Sequence, residues 1–386
     1  MKQRLSDICS FQSGGTPNRA NAEYYAGSIP WITTVALSRQ TIDRSSAVDW
    51  ITEKAINESA AKIVPERSIM VGTRVGVGKV AINAIPMSTS QDIISLIGID
   101  ESCWNKEFLC RFIQSKERFL KSQARGATIK GIKIDILAEL ELPDYSLDDQ
   151  KRIVDILTSI QRIITARQAQ LSALDDLVKA RFVEMFGDPE TNPKGWKQVT
   201  VEDVCSSIVR GPFGSALKKE FFVEPDETTY KVYEQKHAIQ KSSTIGTYYI
   251  SAEKYAELKR FECVPGDILM SCSGTMGELY QLPEGSKRGI INQALCKFTL
   301  NDKILPICFL IYMRQTIGHL ETKGSGIQNI AAVSYVKAMP INLPPMDVQK
   351  QFESFVAQVD KSKVSVQDAL DETQTLFDSL MQEYFG

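Results

Sequence analysis

The sequence predicts a mixed α+β protein. Two similar globular α/β domains alternate with two long helices that pack as an antiparallel coiled coil, giving an internal repeat with pseudo-two-fold symmetry. Three observations carry that expectation. The chain repeats itself at a spacing near 199 residues, and two segments of almost forty residues keep a heptad phase without proline or glycine. The stretches between those segments hold short strand-like runs separated by turns rich in Gly, Pro and Ser.

The repeat is read from short matches in a fixed order. Gln150-Lys151 returns as Gln349-Lys350, Phe186-Gly187 as Phe385-Gly386, and the glycine loop Ile69–Gly78 as Ile268–Gly277, all at an offset of 199. Arg125-Gly-x-x-Ile-x-x-Ile132 returns as Lys323-Gly-x-x-Ile-x-x-Ile330 at 198, Asp7-Ile-Cys-Ser10 as Asp203-Val-Cys-Ser206 at 196, and Leu142-Pro143 as Leu343-Pro344 at 201. Offsets that drift by a few residues describe one duplicated unit with small loop insertions. A period this long is a whole domain plus a connector, far beyond the 20–50 residues of a solenoid repeat. Two similar modules on one chain imply a target that itself has two parts.

Domain one is expected over residues 1–147, with strands at Ile29–Val35, Ser68–Val71, Lys79–Ile85 and Ile93–Ile99 and a helix at Lys106–Lys121. Runs rich in Ile and Val between turn residues read as strands. Residues 148–187 form the central spacer helix. Domain two follows over 188–346, with strands at Thr229–Tyr233, Ile268–Met270 and Leu295–Leu300 and a helix at Ile304–Leu320. Residues 347–386 form the distal spacer helix.

Both spacers carry the same apolar seam. In the first, Ile153, Leu157, Ile160, Ile164, Leu171, Leu174 and Val178 fall on a 4,3 spacing that breaks at Arg167 and Arg181, and Ile156, Ile163 and Leu177 widen the stripe. Shifted by 199 residues, the seam reads Phe352, Val356, Val359, Val366, Leu370, Phe377 and Leu380, with breaks at Lys363 and Thr373. A heptad phase held through about five turns of the pattern argues for a coiled-coil helix. Some 38 residues at 1.5 Å each make a rod of roughly 57 Å, too long to lie on one domain. Asp148 or Asp149, and Asp347, are expected N-caps, and Leu142-Pro143 and Leu343-Pro344 keep the preceding chain extended. Each helix begins or ends where domain two ends or begins. Packed apolar face to apolar face, the two rods must therefore run antiparallel, with the domains at opposite ends.

Composition sets the remaining bounds. The 386 residues suffice for two cores, and 43% hydrophobic with 24% charged residues is ordinary for a soluble protein. No apolar run reaches the ~18–20 residues that span a bilayer, and MKQRLSDICS lacks a signal peptide's apolar stretch. Eight scattered cysteines without a C-x-x-C pair argue against disulfides or zinc and for a cytoplasmic location. Lys+Arg exceed Asp+Glu by 18 to 16 over residues 1–147 and by 18 to 17 over 187–346, whereas 347–386 holds 3 against 8. The acid excess lies in the tail, so two slightly basic domains leave a nucleic-acid role open.

Motifs of catalysis are missing. Gly72-Thr-Arg-Val-Gly-Val-Gly-Lys79 fails as a phosphate loop because Val80 follows the lysine and the first glycine stands one residue too early. Its second copy has Glu278 in place of the lysine, and the two histidines, His237 and His319, have no counterparts in the first half, where capping or surface roles are expected of them. No metal site and no catalytic residue is expected.

The order domain, long helix, domain, long helix resembles the specificity subunits of Type I restriction–modification systems. The likeness is carried by Leu5-Ser-Asp-Ile8, Gly14-Gly-Thr-Pro17, Ile29-Pro-Trp-Ile32, the Ile69–Gly78 loop and its partner Gly266-Asp-Ile-Leu-Met-Ser271, then Gln91, Asn292-Gln293 and Leu343-Pro-Pro-Met-Asp-Val-Gln-Lys350. It covers essentially the whole chain. The resemblance implies a protein without catalytic activity of its own whose two target recognition domains each read half of an asymmetric bipartite site in double-stranded DNA. It implies helices that set the gap and dock two adenine-methylating modification subunits, with motor–nuclease subunits joining the full assembly. S-adenosylmethionine and ATP would bind those partners, not this chain. The runner-up is a two-headed protein–protein adaptor with a coiled-coil spacer.

Bases and phosphates are contacted by Arg, Lys, Asn, Gln, Ser and Thr on loops. Domain one offers Thr16, Arg19, Thr33, Thr34, Thr73, Arg74, Lys79, Gln91, Thr128 and Lys130; domain two offers Arg210, Ser215, Lys218, Lys236, Ser271, Ser273, Thr275, Asn292, Gln293, Ser325, Gln328 and Asn329. Arg74 and Lys79 stand out, since a cation beside glycines suits a phosphate.

Overall fold

A computed structural model describes residues 3–38, 41–126, 131–322 and 333–386. The chain divides into two compact units, one of residues 1–169 with 367–386 and one of 170–366. Each unit therefore holds a head and a two-helix stem built from the start of one long helix and the end of the other.

The heads share one topology. In the first, a central sheet runs in the order Ser10–Ser13, Ile93–Ile97, Ile69–Gly72, Val80–Asn83, Thr41–Ile42, and a second sheet runs Asp49–Ile51, Tyr25–Ile32, Met87–Thr89, Ile63–Val64. In the second head the central sheet runs Cys205–Arg210, Leu295–Leu300, Ile268–Ser271, Leu279–Gln281, and the other runs Tyr249–Ile250, Tyr230–Tyr233, Gly289–Ile291, Glu262–Cys263. Even the parallel pair recurs, Trp31 opposite Ser88 in one and Val232 opposite Ile290 in the other. The first head adds the short edge strand Thr41–Ile42, and the second adds a two-stranded sheet of Lys197–Thr200 and Pro340–Leu343 where the first has the single bridge Arg4–Glu141.

The strand pattern explains the layers. Side chains alternate across a strand, so a central strand covered on both faces reads as a continuous apolar run. Ile69 and Val71 pack with the head helix Lys106–Ser115 and the stem, while Met70 points the other way into a core with Ile32 and Ile42. Ile268 and Met270 do the first job in the second head, and Leu269 joins Tyr233 for the other. The helix expected over Lys106–Lys121 is two, Lys106–Ser115 and Glu117–Gln123, with a break at Lys116.

The long helices span Leu147–Phe186 and Met346–Phe385, 40 residues each. The expected caps are corrected. Ser146 caps the first helix, its hydroxyl accepting from Asp149 N at 3.2 Å and donating to the Asp149 carboxylate at 2.6 Å. At the second helix the Pro345 carbonyl takes the amides of Val348 and Gln349, and Asp347 lies within the first turn.

Within each unit the two helix segments run antiparallel. In the first, Ile153, Leu157 and Phe385 are buried together, with Phe377, Leu380 and Tyr384 against them. In the second, Phe182 and Phe186 meet Phe352 at ring distances of 5.6 and 5.1 Å, and Arg181 lies 5.6 Å from the Phe355 ring. Ile160, Ile164, Val356 and Val359 are buried, and Leu171, Leu174, Val178, Val366 and Leu370 are half-buried. One pair of polar breaks meets: Arg167 donates to the Ala369 carbonyl and the Thr373 hydroxyl; the other two pair elsewhere, Lys363 with Asp175 and Arg181 with Glu184. Of the widening stripe only Ile156 is partly covered; Ile163 and Leu177 are each 46% exposed.

A buried glutamine joins stem to head in both copies. Gln150 accepts from Asn105 N at 2.9 Å and donates to the carbonyls of Tyr145 at 3.0 Å and Cys103 at 3.3 Å. Gln349 accepts from Leu305 N at 2.8 Å and donates to Lys303 O at 2.9 Å and Pro344 O at 3.0 Å. One buried amide thus ties three backbone groups of the head–stem junction together, each bond worth about 1 kcal/mol.

Candidate nucleic-acid interface

Four loops of each head gather at one end of its sheets: the loop after the first strand, the loop after the first strand of the second sheet, the glycine hairpin, and the turn into the last central strand. The backbone bonds that gather them are the same twice. In the first head Gly14 N donates to Ile93 O at 3.1 Å, Ser90 N to Ile32 O at 2.9 Å, and Thr73 N to Asp92 O at 2.8 Å. In the second, Gly211 N donates to Leu295 O at 3.0 Å, Asn292 N to Tyr233 O at 2.9 Å, and Cys272 N to Ala294 O at 2.8 Å. Gly14 and Gly211 are required by closeness, since a β-carbon on either would collide with the carbonyl of Ser90 or Asn292.

The duplicated glycine hairpin has a structural cause. Gly78 and Gly277 sit at φ of 83° and 82°, a region glycine enters without penalty. A β-carbon there would lie 2.8 Å from Glu117 Cγ in the first head and 2.5 Å from Ile317 Cγ2 in the second. These glycines let the hairpin press on a helix, Glu117–Gln123 in the first head and Pro306–Thr322 in the second. The motif therefore marks packing, and its resemblance to a phosphate cradle is incidental.

The first rim carries much of the polar set expected there. Thr16 donates to the Gln91 amide oxygen, and both residues are exposed. Arg19 is 3.6 Å from Asp49 and lies over the Tyr25 and Trp31 rings at 5.9 and 5.8 Å. Arg74, with 54% of its side chain exposed, is 3.7 Å from Asp92, and Lys79 on the same hairpin is exposed. Thr33 is half-buried. Thr34 and Thr73 are buried, and the Thr73 hydroxyl donates to Asp92 O at 3.1 Å, so these two hold the loops and do not present a side chain to solvent.

In the second head Arg210 donates through Nε to Gln293 O at 3.4 Å, and the Asn292 side chain accepts from Ala294 N at 3.1 Å. Ser215, Thr275 and Gln293 are exposed and Ser273 is half-buried. Lys218 is 3.7 Å from Glu220, and Lys236 is 2.7 Å from Glu234 and 5.5 Å from the Tyr248 ring. Ser271 is the exception: fully buried, it donates to Thr275 O at 2.6 Å and accepts from Glu278 N at 2.9 Å. Glu278 pairs with Lys241 at 2.6 Å. Thr128, Lys130, Ser325, Gln328 and Asn329 lie outside the described residues.

Two further residues of the rim, Gln235 and Phe213, carry no sequence signal of their own, and His237 takes the capping role expected of it. Gln235 ties two loops together by donating to the carbonyls of Ser273 and Thr275. Phe213 stands 82% exposed on the first loop of the second head. His237 is fully buried and caps the helix Gln235–Ile239, with Nδ1 accepting from Glu234 N at 2.9 Å and Nε2 donating to Ile245 O at 2.7 Å. Desolvation holds its pKa below the ordinary 6.5, which keeps the ring neutral and the cap intact. Among the described residues no helix is long and apolar enough to cross a membrane, and no group of three His, Cys, Asp or Glu could hold a metal ion.

A duplicated head of this topology, a shared loop rim and a long helix after each copy define a class. The family model for the Type I restriction modification DNA specificity domain matches residues 1–174 and 193–372, so the chain belongs to that family. It is 25% identical over 385 residues to the Type I restriction enzyme MjaIX specificity subunit of Methanocaldococcus jannaschii, covering 92% of this chain and 85% of that one. It is 28% identical over 205 residues to the EcoR124I/EcoR124II specificity subunit of Escherichia coli, 48% of either chain. The fold matches a chain solved in a study of complex assembly and conformational transition of the Type I restriction–modification system, with TM-score 0.68, 15% identity and coverage of 100% and 97%. It also matches the S subunit from M. genitalium, with TM-score 0.52, 14% identity and coverage of 100% and 96%.

Proposed function

We propose that this chain is the sequence-reading subunit of a Type I restriction–modification assembly, each head contacting one half of an asymmetric bipartite site in double-stranded DNA. The single observation that supports it most is the pair of rims: one backbone arrangement, used twice, presenting different side chains. Thr16 with Gln91, Arg19, Arg74 and Lys79 offer donors, acceptors and cations in the first head; Arg210, Ser215, Lys218, Lys236, Asn292 and Gln293 offer another set in the second. Phosphate contacts fix position and base contacts specify sequence. Exposed cations at the rim edges suit the first task and the amides the second.

The long helices set the gap between half-sites and dock two modification subunits, and motor–nuclease subunits complete the assembly. The chain itself carries out no chemistry; S-adenosylmethionine and ATP belong to the partners. The test is affinity of the reconstituted complex with modification subunits for duplex DNA over a range of salt. Several phosphate contacts predict a fall of roughly a thousand-fold or more between 50 and 200 mM salt. Affinity that ignores salt, or a complex that captures protein but no DNA, favours the two-headed adaptor instead.

A further inference from the structure

Resting on that reading of the rims, we infer that Phe213 is a specificity-determining residue, making the apolar contact to a base in the half-site read by the second head. Among the described residues it is the most exposed large apolar side chain, at 82%. Single exposed apolar residues are common, so exposure alone decides nothing. Its place in the loop does. Gly211 is pressed so closely on the Asn292 carbonyl that no side chain fits, Pro212 is buried, and the Phe213 carbonyl accepts from Ala216 N at 2.9 Å to start the turn Gly214–Ala216. The loop is therefore anchored on both sides of a ring that it does not bury.

The matched loop of the first head is Gly14-Gly15-Thr16, bonded at Gly14 to the last central strand as Gly211 is. Thr16 occupies the place of Phe213 and hydrogen-bonds Gln91, the counterpart of Gln293. One rim thus offers a fixed hydroxyl–amide pair where the other has, at the matching positions, an exposed aromatic ring and an exposed amide. Arg210, Ser215 and Lys218 surround the ring in sequence, a polar and cationic setting that suits nucleic acid better than an apolar protein surface. An aromatic ring can stack on a base face at an opened step or touch a thymine methyl. Both are contacts of one chemistry, apolar recognition of a base.

The experiment maps methylated adenines in cells carrying the complete system with the native chain, Phe213→Ala, Phe213→Leu and, as a control on the other head, Thr16→Ala. Phe213→Ala is expected to relax one position of one half-site by roughly ten-fold while leaving the other half and the gap unchanged. Thr16→Ala alters only the opposite half. Phe213→Leu keeps a methyl contact but not a stacked one, so it separates the two sources. A Phe213→Ala motif identical to the native one overturns the inference, and so does loss of the modification subunits from the purified Phe213→Ala complex, which would mark a residue of assembly. If the native chain itself gives no bipartite motif, the proposed function fails instead.

Discussion

The two heads differ least in backbone and most where side chains meet either solvent or the space between strands. Strand order, the parallel pair, the rim bonds and the glutamine joint recur, yet Ser68 and Ser95 of the first head become Asp267 and Lys297 in the second. Asp267 is 2% exposed; it lies 3.4 Å from the Lys297 ammonium and accepts from Thr299 at 2.5 Å and Val264 N at 2.9 Å. Ser68 in the same place donates to Pro65 O at 2.8 Å, and Ser95 has a buried hydroxyl without a partner. The lesson is that duplicated architecture is held by backbone bonds and apolar cores. The polar interior was free to diverge, as was the surface.

The largest consequence of that difference is energetic. Removing one member of a buried ion pair strands the other, so Asp267→Ala should destabilise the second unit by about 3–5 kcal/mol. Ser68→Ala removes one neutral bond and should cost about 1 kcal/mol. Chemical denaturation of the two variants checks this, and equal losses would break the contrast. The glycine hairpins give a smaller asymmetry. Gly78→Ala and Gly277→Ala share the left-handed strain of about 1–2 kcal/mol. In the first head the new methyl also crowds the Glu117 Cα at 3.1 Å, backbone that cannot swing aside, whereas in the second its one close contact is the end of a side chain, Ile317 Cγ2 at 2.5 Å, so Gly78→Ala should lower the melting temperature further.

The smallest effect separates the heads by pH. His237 has a folded pKa depressed below 6.5, so the unfolded chain binds its proton more readily. Its contribution is fully present above about pH 6.5 and is lost as pH falls through the folded value, at no more than about 1.4 kcal/mol per pH unit. A melt of the second unit between pH 7.5 and 5.5 should show that slope, and His237→Gln should flatten it.

Much of the architecture was legible because it is periodic. The 4,3 seam is set by helix geometry, and even its breaks were meaningful: Arg167 and Thr373 answer each other within one unit. The repeated strands could be read from apolar runs because both faces of the central sheets are covered. Two-residue edge strands such as Thr41–Ile42 and Tyr249–Ile250 could not be read, since their pairing is decided by neighbours distant in sequence. The cap at Ser146 was hidden behind two better-charged candidates. At the rims, residue type alone did not say which side chains reach solvent. Thr34, Thr73 and Ser271 have the right chemistry but are buried in holding the loops, and Phe213 has a chemistry that a search for polar contacts passes over. Gln150 and Gln349 were conspicuous as repeats, but that they join stem to head depends on carbonyls some forty-five residues away.

One scaffold used twice to show two unlike faces should have an unlike-halved target. Genome-wide mapping of methylated adenines, in cells with and without this gene alongside its modification subunits, measures that target directly. The expected outcome is a motif that appears only with the gene, made of two different short halves separated by a fixed gap of unspecified bases. A continuous motif, a palindrome with identical halves, or a pattern unchanged by the gene's removal would contradict it.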